Sequence, residues 1–206
     1  MDLGMIDYLK AIDHQKRIVN DVISGRAPDT LITCEHPHVI TFSRHLNKAN
    51  ILISDAEISK WGVGFYSADR GGDVTYHGPG QIVLYPIFNL RESRKDLHLY
   101  LRNLEQVVIN VLRNHFGLNA YRKTGYTGVW VGPYKVGSIG IGVRNWVSYH
   151  GLALNVKADS RFFSWIRPCG MDIKMASIND FFDDEVSIET IRTMLVESVK
   201  DVFDFK

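Results

Sequence analysis

Cysteine is scarce in this chain: two residues among 206, Cys34 and Cys169. That excludes the disulfide framework of small secreted domains and fits a reducing compartment. No apolar run approaches the roughly 20 residues needed to cross a bilayer. The opening segment, MDLGMIDYLKAIDHQKR, carries acidic residues and no continuous apolar stretch, so neither a signal peptide nor a transit peptide is expected. The cytoplasm is the expected location. Net charge is scarce too, at +1, which leaves no global field to draw nucleic acid or an anionic membrane. Basic residues do cluster locally, at Arg91, Arg94, Lys95 and Arg102 and again at Arg122 and Lys123. These are either solvated faces or a patch for an acidic partner.

Several catalytic signatures are also missing. There is no GxxxxGK[ST] or GxGxxG segment for nucleotide phosphates, no HExxH or paired CxxC for a metal, and no GxSxG elbow for a serine hydrolase. Cys34, His36 and His38 stand close in sequence without a fourth ligand, so no metal site is expected.

With 45% hydrophobic residues, the chain can bury one substantial core and reads as a single domain over residues 1–206. Ile6, Leu9, Ile18, Val22 and Ile23 recur at helical spacing, and Gly25 with Pro28 supplies a stop. TLITCEH and HVITFSR read as a strand pair around His36-Pro37. Ser54 and Glu57 have capping-box spacing. Between Lys95 and Phe116, Leu97, Leu101, Leu104, Val108 and Leu112 form an apolar stripe closed by Gly117. TGVWVG, YKVGSIGIGV and WVSYHGLALNV are β-rich with tight connections, and Ser187 opens a last helix through Ile191, Leu195 and Val199. Strands outnumber helices and hairpins dominate. The expectation is an α+β fold, a mixed or largely antiparallel sheet with helices packed on it.

What the chain does have is RGGDVTYHGPGQ, residues 70–81, with four glycines and a proline among Arg70, Asp73, Tyr76, His77 and Gln81. Flanked by the strand-like GVGFYSADR and QIVLYPIFNL, it reads either as a turn or as a cradle whose backbone lies close to a ligand. Cys169, in IRPCGM, is either a small buried hydrophobe or a nucleophile on a tight turn whose Cys-Gly peptide offers N–H groups to an oxyanion. As a nucleophile it needs a neighbour that lowers its pKa from about 8.5. Lys135 is either that neighbour or a surface lysine. His150 is either a polar contact or a satisfied core histidine.

RGGDVTYHGPGQ, KVGSIGI, HGLALNV and IRPCG, in that order, resemble the octanoyltransferases of lipoate biosynthesis. The resemblance runs from EHPHVIT to the cysteine turn and departs at Ser43, where a glycine is usual. It implies a fold similar to the catalytic domain of lipoate and biotin protein ligases, with a tunnel for an acyl chain. It further implies transfer of an octanoyl group from octanoyl-acyl carrier protein to a lysine of lipoyl domains, those of 2-oxoacid dehydrogenases and of the glycine cleavage H protein, as the first step of endogenous lipoylation. No ATP and no metal are implied, nor any nucleic acid or membrane partner, and the protein is expected to be a monomer. By the same resemblance Cys169 is the nucleophile that forms an acyl-thioester and Lys135 activates it. Arg70, Gly71, Gly72, Asp73, Val74, Thr75, Tyr76 and His77 form a loop along the acyl chain. Ser138, Ile139 and Gly140, with Gly151, Leu152 and Ala153, line the same pocket. The glycines would let the main chain approach a narrow aliphatic ligand, with His77 and Tyr76 holding its reactive end. Cys34 is structural.

Overall fold

Helix ends follow local chemistry. The computed structural model describes residues 1–44, 46–91 and 95–204, with Cys169 described by its backbone alone. Asp7 caps α1 (Tyr8–Ile23) by accepting from the Leu9 and Lys10 N–H groups. The Ser54–Glu57 capping box opens α2 (Asp55–Trp61) as the sequence predicts. Asp96 caps α3 (Leu97–Phe116), which ends at Gly117 with φ 62°. Ser187 accepts from the Thr190 N–H at the start of α4 (Ile188–Phe203).

Among the described residues the strands are β1 (Asp2–Met5), β2 (Thr30–Glu35), β3 (Val39–Phe42), β4 (Gly64–Ser67), β5 (Val74–His77), β6 (Gln81–Ile87), β7 (Ala120–Tyr121), β8 (Val129–Val131), β9 (Tyr134–Arg144) and β10 (Val147–Asn155). They form a seven-stranded sheet in the order β1-β2-β6-β10-β9-β8-β7 and a three-stranded sheet in the order β4-β3-β5. Parallel pairing joins β1 to β2 and β3 to β4, and the remaining neighbours are antiparallel. The fold is thus α+β with mixed sheets.

Two strand expectations need correction. TLITCEH and HVITFSR do not pair with each other: β2 lies in the large sheet beside β6, and β3 in the small sheet between β4 and β5. His36-Pro37 is therefore a crossover between sheets, because a short connection permits a hairpin without requiring one. The glycine-rich segment is not loop throughout, since β5 lies inside it.

Strand β6 is buried along its whole length and separates two cores by simple alternation. Ile82 and Leu84 meet Leu104, Val108 and Leu112 of α3 and Ile191, Leu195 and Val199 of α4. Val83, Tyr85 and Ile87 meet Ala11, Val19 and Val22 of α1. The buried face of α1 runs through Tyr8, Ala11, Gln15, Val19 and Val22, and Leu9 of the expected stripe is exposed. A third core packs the small sheet against Phe162, Phe163, Trp165 and Ile166.

Candidate active site

On the α1 side of β6 a cavity of about 50 Å³ opens between the large sheet and β3 and β5. Three separated segments of the expected site meet there. Arg70, Thr75 and His77 contribute from the glycine-rich segment, Ser138, Ile139 and Gly140 from β9, and Gly151, Leu152 and Ala153 from β10. The two strands are in register, Ser138 opposite Ala153 and Gly140 opposite Gly151, so the last two segments arrive as one ladder. Tyr8, Thr41, Val83, Tyr85 and His150 also line the cavity. Of these, motif reading singled out only His150, since the others come from elements with no chemical signature of their own.

The rest of the glycine-rich segment faces elsewhere. Val74 and Tyr76 alternate with Thr75 and His77 along β5, so they point into the third core. The Tyr76 hydroxyl lies 2.7 Å from His38 Nδ1, and its ring packs edge-on against Phe163 and Trp165. Tyr76 therefore does not share the cavity with His77. The glycines answer to protein packing as well. A Cβ at Gly78 would collide with the Tyr76 ring, and one at Gly140 would come within 3.0 Å of the Gly71 carbonyl. Neither Gly71 nor Gly72 lines the cavity: the Gly71 N–H donates to the Ile141 carbonyl at 2.9 Å, which docks the loop on β9.

Arg70 holds this loop to β3, donating to the Thr41 carbonyl at 2.7 Å and to the Gly71 carbonyl at 3.0 Å. Asp73 serves the cysteine turn instead of the cavity. Its Oδ2 accepts from Asn50 Nδ2, and the Asn50 carbonyl accepts from the Arg167 N–H at 2.8 Å, directly before that turn. Ser43, the departure from the resemblance, donates its N–H to the Asp73 carbonyl at 2.9 Å.

Pro168–Gly170 form a single 3-10 turn containing Cys169, whose side chain lies outside the described residues. The Gly170 N–H is not free for an oxyanion, because it donates to the Arg167 carbonyl at 3.0 Å within that turn. Lys135 is tied to the same segment through the backbone: its N–H donates to the Lys174 carbonyl at 2.8 Å, and its carbonyl accepts from the Ala176 N–H at 3.2 Å. The Lys135 Nζ lies 5.1 Å from the Trp130 ring centroid. Lys135 itself does not line the cavity.

A buried chain of side chains joins the cavity to this ladder. His77 Nδ1 donates to Gln81 Oε1 at 2.5 Å, Gln81 Nε2 donates to Asn155 Oδ1 at 2.9 Å, and Asn155 Nδ2 donates to the Ala176 carbonyl at 3.0 Å. Each polar group gains a partner where water is excluded, and His77 Nε2 is left as the basic nitrogen. Asn155 was not legible as a site residue, because its role exists only once β6 and β10 are side by side.

The cavity keeps its imidazoles neutral. Burial, reinforced by the positive fields of His36 and Arg70, pushes His77 down to about 3, and burial with Arg70 pushes His150 down to about 4. Burial also pushes the Tyr8 phenol up to about 12. Cys34 lies outside the cavity, fully buried beneath α1, and its thiol is pushed far up by the same desolvation. His36 and His38 are drawn apart, one toward Tyr85 and the other toward Tyr76. The basic residues are partly committed: Arg102 and Arg122 both pair with the buried Glu105, and Lys95 lies over the Trp146 ring. Arg94 lies outside the described residues.

Solved structures with this architecture define the class first. The bipartite lipoate protein ligase of Thermoplasma acidophilum superposes with a TM-score of 0.73 at 17% identity, covering 94% of this chain and 80% of its own. The biotin protein ligase of Aquifex aeolicus, in complex with biotin and ATP, gives 0.60 at 10% identity, covering 99% and 69%. The fold is that of the lipoate and biotin protein ligases. Residues 7–200 match the lipoyl protein ligase A/B catalytic domain. The octanoyltransferase of Solibacter usitatus is 40% identical over 204 residues, spanning 99% of this chain and 92% of that protein. The chain belongs to the lipoyl protein ligase A/B family, among its octanoyltransferases, and is an acyltransferase.

Proposed function

We propose that this acyltransferase takes octanoyl groups from octanoyl-acyl carrier protein and delivers them to the ε-amine of a lysine on lipoyl domains, through a thioester on Cys169. The observation that carries the reading is convergence. Three segments far apart in sequence line one cavity, and the strand that supplies one of them also carries Lys135, laced by backbone bonds to the chain just after the cysteine turn.

In the first half-reaction the Cys169 thiolate attacks the octanoyl carbonyl carbon; a new C–S bond forms and the carrier's C–S bond breaks, releasing the carrier thiolate, which takes a proton from the Lys135 ammonium. In the second, the acceptor amine attacks the acyl-enzyme carbonyl, the C–N bond forms, and the Cys169 C–S bond breaks. Lys135 as an ammonium stabilises the thiolate, and as a neutral amine it takes the proton that the incoming amine must lose. Exchange between thioesters is nearly thermoneutral and aminolysis is downhill, so the cycle calls for neither ATP nor a metal. Arg70, Thr75 and His77 on one wall, with Ser138, Ile139, Gly140, Gly151, Leu152 and Ala153 on the other, hold the acyl chain. Gly71 and Asp73 act behind them by fixing the loop and the cysteine turn, Gly72 gives the loop its φ of 90°, and Val74 and Tyr76 anchor β5 in the core.

The test is an intact mass after incubation with octanoyl-acyl carrier protein in EDTA and without ATP. An octanoyl adduct on Cys169, removed by hydroxylamine and passed on to an added apo-lipoyl domain, is expected. Absence of the adduct in the wild type, or transfer that needs ATP, overturns the mechanism. Cys169→Ala should remove the adduct and the transfer together.

A further inference from the structure

The acyl cavity ends at two side chains. Tyr8 and His150 line it, and both also line a second, larger cavity of about 380 Å³ that lies between α1 and residues 67–69. Leu9, Ile12, Val19 and Ala68 give this second space an apolar wall. The direction of the first cavity follows from strand register: the successive pairs Ser138–Ala153, Gly140–Gly151 and Ile141–His150 lead away from Lys135, whose backbone bonds Lys174 and Ala176 on the chain that follows the cysteine turn. An acyl chain attached at that turn therefore points its methyl end at the two rings.

Each ring is held firmly. Tyr8 is the first residue of α1, directly after the Asp7 cap, and its ring stacks on Tyr66 with centroids 5.8 Å apart and lies edge-on to His36 at 5.6 Å. His150 adopts φ 56°, a left-handed conformation that a non-glycine residue keeps only where its surroundings enforce it. Here they do, because the His150 N–H donates to Gln15 Oε1 at 2.8 Å. Gln15 is 2% exposed and lines the second cavity, and its Nε2 has no partner among the described residues.

We propose that Tyr8 and His150 set the length of acyl chain the enzyme accepts, by closing the acyl cavity against the space behind it. The inference rests on the reading of the first cavity as the acyl site. An octanoyl chain stops at the two rings, whereas a longer chain must displace them and break the stacking of Tyr8 on Tyr66. Removing either ring joins the cavities and lets the distal methylenes of a longer chain run along the apolar wall of α1.

The test compares kcat/KM for octanoyl- and dodecanoyl-acyl carrier protein in the wild type, Tyr8→Ala, His150→Gly and Tyr8→Phe. Each newly buried methylene is worth about fourfold, so four set a ceiling of about 200-fold. The dodecanoyl-to-octanoyl ratio should rise at least tenfold in Tyr8→Ala and His150→Gly, and stay at the wild-type value in Tyr8→Phe, which keeps the ring. Adding Ile12→Trp, which fills the second cavity from α1, should return the ratio toward the wild-type value. Glycine suits φ 56°, so His150→Gly decides the matter if Tyr8→Ala fails to fold. Folded variants that transfer octanoyl groups with the ratio within twofold of the wild type overturn the proposal. A wild type that transfers neither acyl group overturns the reading of the cavity itself.

Discussion

Replacing Glu105 tests how the Lys135 stem is supported from behind. The Glu105 side chain is 0% exposed on α3, and its Oε2 accepts from Arg102 at 2.7 Å and from Arg122 at 3.1 Å. Its Oε1 accepts from the buried Gly128 N–H at 3.0 Å. Gly128 packs against the Lys135 stem so closely that a Cβ there would come within 2.5 Å of Lys135 Cε. In Glu105→Ala the Gly128 N–H loses its acceptor, at a cost of about 1–3 kcal/mol, and one methylene of packing vanishes with the carboxylate, at about 0.8 kcal/mol. The guanidiniums, 50% and 34% exposed, turn back to water and contribute little, about 0–1 kcal/mol. The expected loss is therefore about 2–4 kcal/mol, or roughly 6–12 °C in Tm for a domain of this size. Glu105→Gln keeps an acceptor for Gly128 and should cost only about 1 kcal/mol. Urea denaturation gives both values, and octanoyl transfer should fall in the alanine variant and persist in the glutamine one. A glutamine variant as unstable as the alanine variant would refute the reasoning, because it would assign the stabilisation to the ion pairs and not to the Gly128 bond.

Two further outcomes follow from burial. Iodoacetamide near neutral pH should label Cys169 well before Cys34, which is fully buried with a raised pKa, and Lys135→Ala should slow the labelling of Cys169. Equal rates for the two thiols in the native protein, read by peptide mass, would contradict this, and in urea the difference should disappear. The second outcome concerns acid. His77 and His150 stay neutral in the fold down to about 3 and about 4, while in the unfolded chain they take up protons below about 6.5. Stability is therefore full above about 6.5 and falls as pH drops through that window, by up to about 1.4 kcal/mol per pH unit for each histidine. Stability curves measured from pH 4.5 to 7 should be flatter in His77→Gln and in His150→Gly than in the wild type, and unchanged slopes would refute the assignment.

The caps at Ser54, Asp96, Gly117 and Ser187 were legible in sequence or lay within a residue of a legible signal, because a cap is a bond between residues a few positions apart. The stripe Leu104, Val108 and Leu112 was legible for the same reason: helical period alone decides that these side chains share a face. The motifs around residues 70–81, 135–141, 150–156 and 166–170 also stood out, since unusual residue types at close spacing need no tertiary information to be seen.

What covers each face is another matter, because strand pairing joins residues whose separation in sequence carries no local signal. Alternation in β5 separates Thr75 and His77 from Val74 and Tyr76, but only the position of the small sheet between the cavity and the Phe162–Trp165 cluster decides that the first pair meets the cavity. Gly78 looked like freedom for a ligand and proved to be room for the Tyr76 ring. Asp73 looked like a cavity residue and proved to brace Asn50 beside the cysteine turn. Tyr8 carried no motif at all, and became a wall of the cavity because the helix it begins crosses the sheet over β6 and β10. The helices, the α+β class and the motif stretches can be read along the chain; which residues face one another, Tyr8 and Asn155 among them, is settled by packing, since that is a property of packed surfaces and not of the chain between them.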